Sequence, residues 1–124
     1  MTSPRTAREV VELYNLVVWN ERDLELAGEL LGENVVRHEV GRTHTLTHAQ
    51  AVQRVADMWA SVDSLRFDLN LVVDDGRHVA ILYDTAITTK DGAETNIASI
   101  EVFRVVDGRI TEVWNCGYQQ GVWT

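Results

Sequence analysis

Apolar and β-branched residues alternate with polar ones through the second half of the chain, in the runs LRFDLNLVV, HVAILYDTAITT, TNIASIEVFRVV and RITEVWNCGY. Between the runs stand Asp75-Gly76, Asp91-Gly92 and Asp107-Gly108, equally spaced. Asp-Gly between alternating runs is a strong hairpin signal, because Gly reaches positive φ without a Cβ clash and Asp tolerates it. Such turns in series predict an up-and-down antiparallel meander from about Ser64 to Tyr118. One face of that sheet must be covered by something apolar.

The first half supplies the cover. Ser3-Pro4 reads as an N-cap followed by Pro at the first helical position, and Thr6 with Glu9 offers a second cap with capping-box spacing. Val10, Leu13, Tyr14, Val17 and Val18 then recur at helical spacing to about Trp19. Asn20 to Arg22 break the pattern. Asp23 caps a short helix over Leu24–Leu31, which Gly32 is expected to end in a left-handed conformation. Asn34–Val40 reads as a short strand and Gly41–Leu46 as loop. Thr47, with Gln50 three residues on, caps a helix through Val52, Val55, Met58 and Trp59. The order predicts an α+β fold: a cone-shaped roll of three N-terminal helices on a curved, mainly antiparallel sheet, with a cavity between the layers.

Composition narrows the field. At 124 residues the chain is expected to be one domain, 1–124, burying about two thirds of the surface its unfolded form exposes. A net charge of −8 argues against nucleic-acid and anionic-membrane partners, which need a basic patch. Cys116 is the only cysteine, so no internal disulfide can form. The N-terminus lacks the apolar core of a signal peptide, and no run approaches the length of a membrane span. These features lead us to expect a cytoplasmic protein.

Polar residues inside apolar runs carry the candidate chemistry, because burying them is costly unless they are paired or used. They are His38-Glu39, Asp84, Glu101, Asn115 and Tyr14-Asn15. Successive strand residues face opposite ways, so only one of His38 and Glu39 can enter a cavity, as a general base or hydrogen-bond acceptor. A solvated strand end is the plain alternative. Asp84 is either a pocket residue or an outward-facing one. Glu101 in an apolar site would have a raised pKa and could donate a hydrogen bond. Its facing depends on the last turn. If Asp107-Gly108 is a two-residue turn, Val106 opposes Arg109 and Glu101 lies opposite Trp114. With a bulged three-residue loop, Val105 opposes Arg109 and Glu101 shares a face with Val113, Asn115 and Gly117. The histidines have no metal-ligand spacing, no metal or other cofactor is expected, and Cys116 reads as a packing residue. Trp19, Trp59, Trp114 and Trp123 read first as core and interface residues, with lining of a ligand as the lesser role.

The segments WNERDLELAGELLGENVVRHEVG and FRVVDGRITEVWN resemble the nuclear-transport-factor-2-like superfamily, in particular its SnoaL-like polyketide cyclase and ketosteroid-isomerase-like branch. The resemblance spans nearly the whole chain. It implies a cone with its pocket between helices and concave sheet, and a homodimer; apolar residues on the convex strands and the C-terminal Val122-Trp123 point to the convex sheet face as the interface. By position, the catalytic acid of the isomerases falls on Glu39, with His38 beside it. The acid of their oxyanion hole falls on Glu101, and their tyrosine falls near Tyr14, although the count back from Asp23 lands on Asn15. Where cyclases often carry an Asp after the last tryptophan, Asn115 follows Trp114. Asp84 matches an epoxide-hydrolase acid, but Leu82 stands where the arginine would be, which argues against that activity. The expected function is cofactor-independent isomerisation or cyclisation by proton abstraction beside a carbonyl of an apolar, polyketide- or steroid-like substrate. In that reading Glu39 or His38 is the base and Glu101 and Tyr14 hold the enolate. Asn15, Trp19, Asp84, Asn115 and Trp59 contact substrate. The alternative is a non-catalytic ligand-binding or dimeric interaction module of the same fold, favoured by Asn115 and Leu82.

Overall fold

The structure is a computed structural model that describes residues 4–124; Ser3, the first cap offered by the sequence, lies outside the described residues. Helix α1 (Ala7–Leu13) opens with the capping box at Thr6, whose hydroxyl accepts from Glu9 N at 3.1 Å while Glu9 Oε1 accepts from Thr6 N at 3.0 Å. The helix does not run on as α to Trp19. Tyr14–Trp19 form a π-helical segment in which the Asn15 amide donates to the Val11 carbonyl at 2.8 Å. A side chain inserted into the helical ladder is a recognised cause of such a turn. Asn20 then bonds both backbone groups of Phe67, at 3.1 and 2.7 Å, fixing the end of this segment to a strand.

Asp23 caps α2 (Leu24–Leu30), accepting from Leu26 N at 3.0 Å. Gly32 is not the left-handed cap expected of it. Leu31 is already extended, and Gly32 lies in strand β1 (Leu31–Glu39), which starts earlier than its apolar pattern suggests. The segment read as loop is a second strand, β2 (Arg42–Thr47), whose alternating Thr and His residues lack the apolar signature because one of its faces is solvated. Helix α3 (His48–Ala60) starts on the predicted Thr47–Gln50 capping box.

The meander is as read: β3 (Val62–Asp74), β4 (His78–Thr89), β5 (Glu94–Val106) and β6 (Arg109–Asn115), antiparallel neighbours in sequence order. The full order is β2-β1-β6-β5-β4-β3, with β1 parallel to β6 and the short β7 (Gln119–Gln120) pairing with β5. Three helices lie on one face, where Val10, Val18, Leu30, Val55, Ile81 and Phe103 form part of the core. This is the expected α+β roll, with an open rather than closed sheet. No helix among the described residues is long and apolar enough to cross a membrane.

The last hairpin has the two-residue turn of the first register, not the Val105–Arg109 pairing of the second, yet it puts Glu101 on the face the second register gave it. Asp107 and Gly108 both take positive φ, 51° and 76°, and Val106 pairs with Arg109, as a two-residue turn requires. A bulge at Thr111 then shifts the ladder, so that Val105 pairs with Ile110 and Arg104 with Glu112. Glu101 therefore faces Asn115 and not Trp114. One extra residue in β6 decides which side chains face the cavity.

Gly32 is needed for the approach of β1 to β6. A Cβ there would meet Ile110 O at 3.0 Å and Asn34 O at 3.3 Å, both backbone atoms that cannot swing aside. Gly32→Ala is expected to cost about 1–3 kcal/mol, as overpacking does. In urea unfolding this appears as a lower midpoint with an unchanged slope; an unchanged midpoint would show that the two strands can separate there.

Candidate functional site

A cavity of about 140 Å³ opens between the helices and the concave sheet. The π segment contributes Tyr14, Asn15 and Trp19 to its wall, and α3 contributes Arg54 and Met58. Strands supply Leu65 and Phe67, then Tyr83, Thr85 and Ile87, then Ile97 and Glu101, while Tyr118 reaches in from the C-terminal segment. Alternate residues line it because a strand turns every second side chain inward. The walls are mainly apolar, and the ring planes of Phe67 and Tyr83 stack at 5.2 Å.

Glu101 is the one carboxylate in this lining and is only 7% exposed. Its Oε2 accepts from the Tyr83 hydroxyl at 2.9 Å and from Asn115 Nδ2 at 3.0 Å, and its Oε1 lies 3.6 Å from the Arg37 guanidinium. Every partner is a donor or a cation, which is the pattern of an ionised carboxylate. The proton-donating Glu101 expected from sequence does not match this set of partners. Asn115 is held in turn by Gly117 N, which donates to its Oδ1 at 2.6 Å. Burial pushes the Tyr83 phenol well above its ordinary pKa, and the neighbouring Glu101 charge acts in the same direction. Tyr83 thus stays a hydrogen-bond donor.

Tyr14 is buried, edge-on to Trp19 and Phe103, and its hydroxyl has no hydrogen-bond partner among the described residues. Tyr14 and Asn15 both reach the cavity, so the choice between them dissolves: the π segment presents the two consecutive residues on one side. Arg54 lies over the Trp19 ring at 5.8 Å. Burial works against its charge, and the Tyr14 and Tyr118 phenols with Glu101 outweigh that effect, so its pKa lies above the ordinary arginine value.

Several other sequence candidates lie elsewhere. Glu39 is exposed at the end of β1 and does not line the cavity, although it pairs with Asn115 in the parallel ladder. His38 points to the convex face, stacked on Trp114 at 5.1 Å and bonded to Glu112 and Thr43. Asp84 alternates with the inward-facing Tyr83 and Thr85 and so faces away, as does Leu82. Trp59 is buried behind the wall, its indole N–H donating to Trp19 O at 2.8 Å. Sequence reading missed Arg37, Arg54, Tyr83, Thr85 and Tyr118. Two carried a signal: Arg37 shares a strand face with the apolar Val35, and Arg54 stands four residues before Met58 on α3.

The chain matches the SnoaL-like domain family over residues 10–113. A candidate polyketide cyclase from Acidithiobacillus ferrooxidans superposes with a TM-score of 0.79 at 20% identity, over 93% of this chain and 89% of that one. An epoxide hydrolase of the LEH-like kind from Mycobacterium tuberculosis gives 0.73 at 21% identity, over 89% and 80% of the two chains. A protein with a ketosteroid-isomerase-like fold from Catenulispora acidiphila, complexed with trimethylamine, gives 0.74 at 16% identity, over 88% and 85%. At these identities the likeness is one of fold. No curated protein matches the sequence significantly.

Removing one partner of a buried ion pair strands the other charge. Arg37→Met is expected to cost about 3 kcal/mol, because Glu101 keeps only its two neutral donors. Adding Glu101→Gln should recover part of that loss, which denaturant unfolding of the two singles and the double resolves as a coupling energy. Additive losses would mean the pair does not interact. Since the chain matches the family profile over most of its length, and its helices and open sheet superpose on those of the fold's other members, it belongs to the SnoaL-like domain family.

Proposed function

We propose that this protein binds a small, mostly apolar carbonyl compound in the cavity and abstracts a proton beside the carbonyl, as an isomerase or aldol-type cyclase. The observation that carries the reading is Glu101: a carboxylate inside an apolar cavity, with only donors and a cation set against it. In the reaction the C–H bond next to the carbonyl breaks, its proton goes to Glu101, and the electron pair moves onto the carbonyl oxygen. The Tyr14 hydroxyl and the Arg54 guanidinium are the donors for that enolate. Return of the proton at another carbon completes an isomerisation; attack of the enolate carbon on a second carbonyl completes a ring. This moves the base from Glu39, which is exposed outside the cavity, to Glu101.

Cavity size bears on the substrate. About 140 Å³ is close to the roughly 150 Å³ of an engineered apolar cavity that binds benzene. One ring fits inside, and any larger polyketide- or steroid-like skeleton extends out through the mouth.

A second reading is a ligand-binding module without chemistry. It is favoured by the way Arg37, Tyr83 and Asn115 already occupy the Glu101 carboxylate, so that it is held within the fold's own hydrogen bonds. Either reading accommodates a homodimer through the convex face. Leu71, Leu82 and Ile100 form one apolar row there, and Val73, Ala80, Val102 and Trp114 form the next. Leu71, Val73 and Ile100 are exposed.

Deuterium exchange beside the carbonyl of single-ring ketones, followed by NMR in heavy water, separates the two. Exchange is expected in the native protein, reduced about 10²–10⁴-fold in Glu101→Gln and nearly unchanged in Glu39→Gln. No exchange from the native protein favours the binding module, and a loss confined to Glu39→Gln returns the base to that residue. Sedimentation at micromolar concentration should show a dimer that Ile100→Lys dissociates. A native monomer would leave the convex rows without this role.

A further inference from the structure

We propose that the compound bound in this cavity is a carboxylate, with an apolar body about one ring in size and its anionic group against the Arg54 guanidinium. This rests on the cavity being a ligand site, and is independent of whether proton abstraction occurs there.

Arg54 is a half-buried cation without an anion. Among the described residues no carboxylate lies within 4.0 Å of it, and it shares the cavity wall with the Tyr14 and Tyr118 phenols. Four other arginines have carboxylate or carbonyl partners, and Arg22, which lies over the Trp59 ring at 4.3 Å, is exposed to water rather than turned into a cavity. Arg37 has Glu101, Arg104 has Glu112, Arg8 has Glu12, and Arg109 donates to the carbonyls of Gly28 and Leu31. Acidic residues are not scarce, since the chain carries 19 of them against 11 basic ones. Glu101 shares the cavity, but its nearest cation is Arg37 at 3.6 Å. A guanidinium set among the Trp19 ring and two phenols has lost water, and among the described residues it feels Glu101 only from beyond 4.0 Å, with no carboxylate in contact. Such a group costs free energy unless something supplies the missing charge. Its planar fork fits a carboxylate with two parallel hydrogen bonds.

A second, separate observation points to a ligand. Thr85 is 2% exposed and lines the cavity, and its Oγ1 has no hydrogen-bond partner among the described residues. A hydroxyl can donate or accept, so a keto or hydroxyl group on the ligand satisfies it. Between these polar points the wall is Leu65, Phe67, Ile87 and Ile97, which take an apolar body. A keto acid with a single ring or a short branched chain meets all of these demands. A neutral hydrocarbon ketone can accept a hydrogen bond from Arg54 but brings it no charge.

The test is calorimetric titration with 3-phenylpropanoate and cyclohexanecarboxylate against their uncharged amides. In the native protein each carboxylate is expected to bind at least about tenfold more tightly than its amide, the usual scale of a charge-assisted hydrogen bond. Arg54→Gln should abolish that preference while retaining amide binding, and Arg54→Lys should keep part of it. Amides that bind as well as carboxylates, a preference that survives Arg54→Gln, or no binding by either series would each overturn the proposal. The native comparison needs no variant, so it decides the matter even where Arg54→Gln folds poorly. Carboxylate binding that depends on Arg54 without proton exchange would sustain this inference and remove the catalytic one; exchange on neutral ketones with no carboxylate preference would do the reverse.

Discussion

Burying the Glu101 carboxylate constrains the rest of the structure most. A charge at this depth loses several kcal/mol of hydration, and the loss is tolerable only where cations and donors replace the water. The replacements come from three other strands: Arg37 from β1, Tyr83 from β4 and Asn115 from β6, with Glu101 itself on β5. They can meet only in the observed register. Without the Thr111 bulge the pairing would bring Trp114 opposite Glu101 and turn Asn115 away. Without the close approach at Gly32, β1 could not lie parallel to β6 and deliver Arg37. One carboxylate thus ties the sheet order, the bulge and the glycine to the floor of the cavity.

Much of the fold was legible because it depends on local rules. The capping boxes at Thr6 and Thr47, the Asp23 cap and the meander are written in short spacings that tertiary context did not override. What was not legible depends on partners distant in sequence. Strand β2 has no apolar alternation because it lies at the sheet edge, and Gly32 looks like a helix stop until its approach to Ile110 is seen. In the site, Tyr14, Asn15, Trp19 and Glu101 line the cavity as polar or aromatic residues inside apolar runs should. Attention to mid-strand acids drew Asp84 forward, when its neighbours Tyr83 and Thr85 are the ones turned inward. The parity of β4 could be read only against its partners, and the face of α3 that carries Arg54 into the cavity is likewise set by its packing on the sheet.

The π segment explains how one short stretch serves both core and site. In Tyr14–Trp19 the wider turn buries Tyr14, Asn15, Val18 and Trp19 on one side. Val18 packs into the core, and the other three reach the cavity wall. Asn15 has a structural part in this, since its amide holds the Val11 carbonyl. The geometry that presents Tyr14 is therefore maintained by a residue of the site itself. The double bond of Asn20 to Phe67 then fixes the far end against β3, so the wall is anchored at both ends.

Charge is distributed unevenly between the surface and the cavity, and this decides where selectivity can arise. With a net charge of −8 the protein repels an anionic ligand at long range. That field is screened within about 8 Å at physiological ionic strength, whereas a desolvated pair inside the cavity is screened far less. A carboxylate that enters meets Arg54 where water has been replaced by Trp19 and two phenols, so a single contact there counts for more than the surface charge. Glu101 must then be insulated from the same ligand, because two anions in one small cavity repel. Arg37 stands 3.6 Å from Glu101 and offsets part of its charge, whereas Arg54 has no carboxylate within 4.0 Å among the described residues. On the proposed reading the two arginines divide the work: one holds the fold's own anion, and the other is left for one brought from outside.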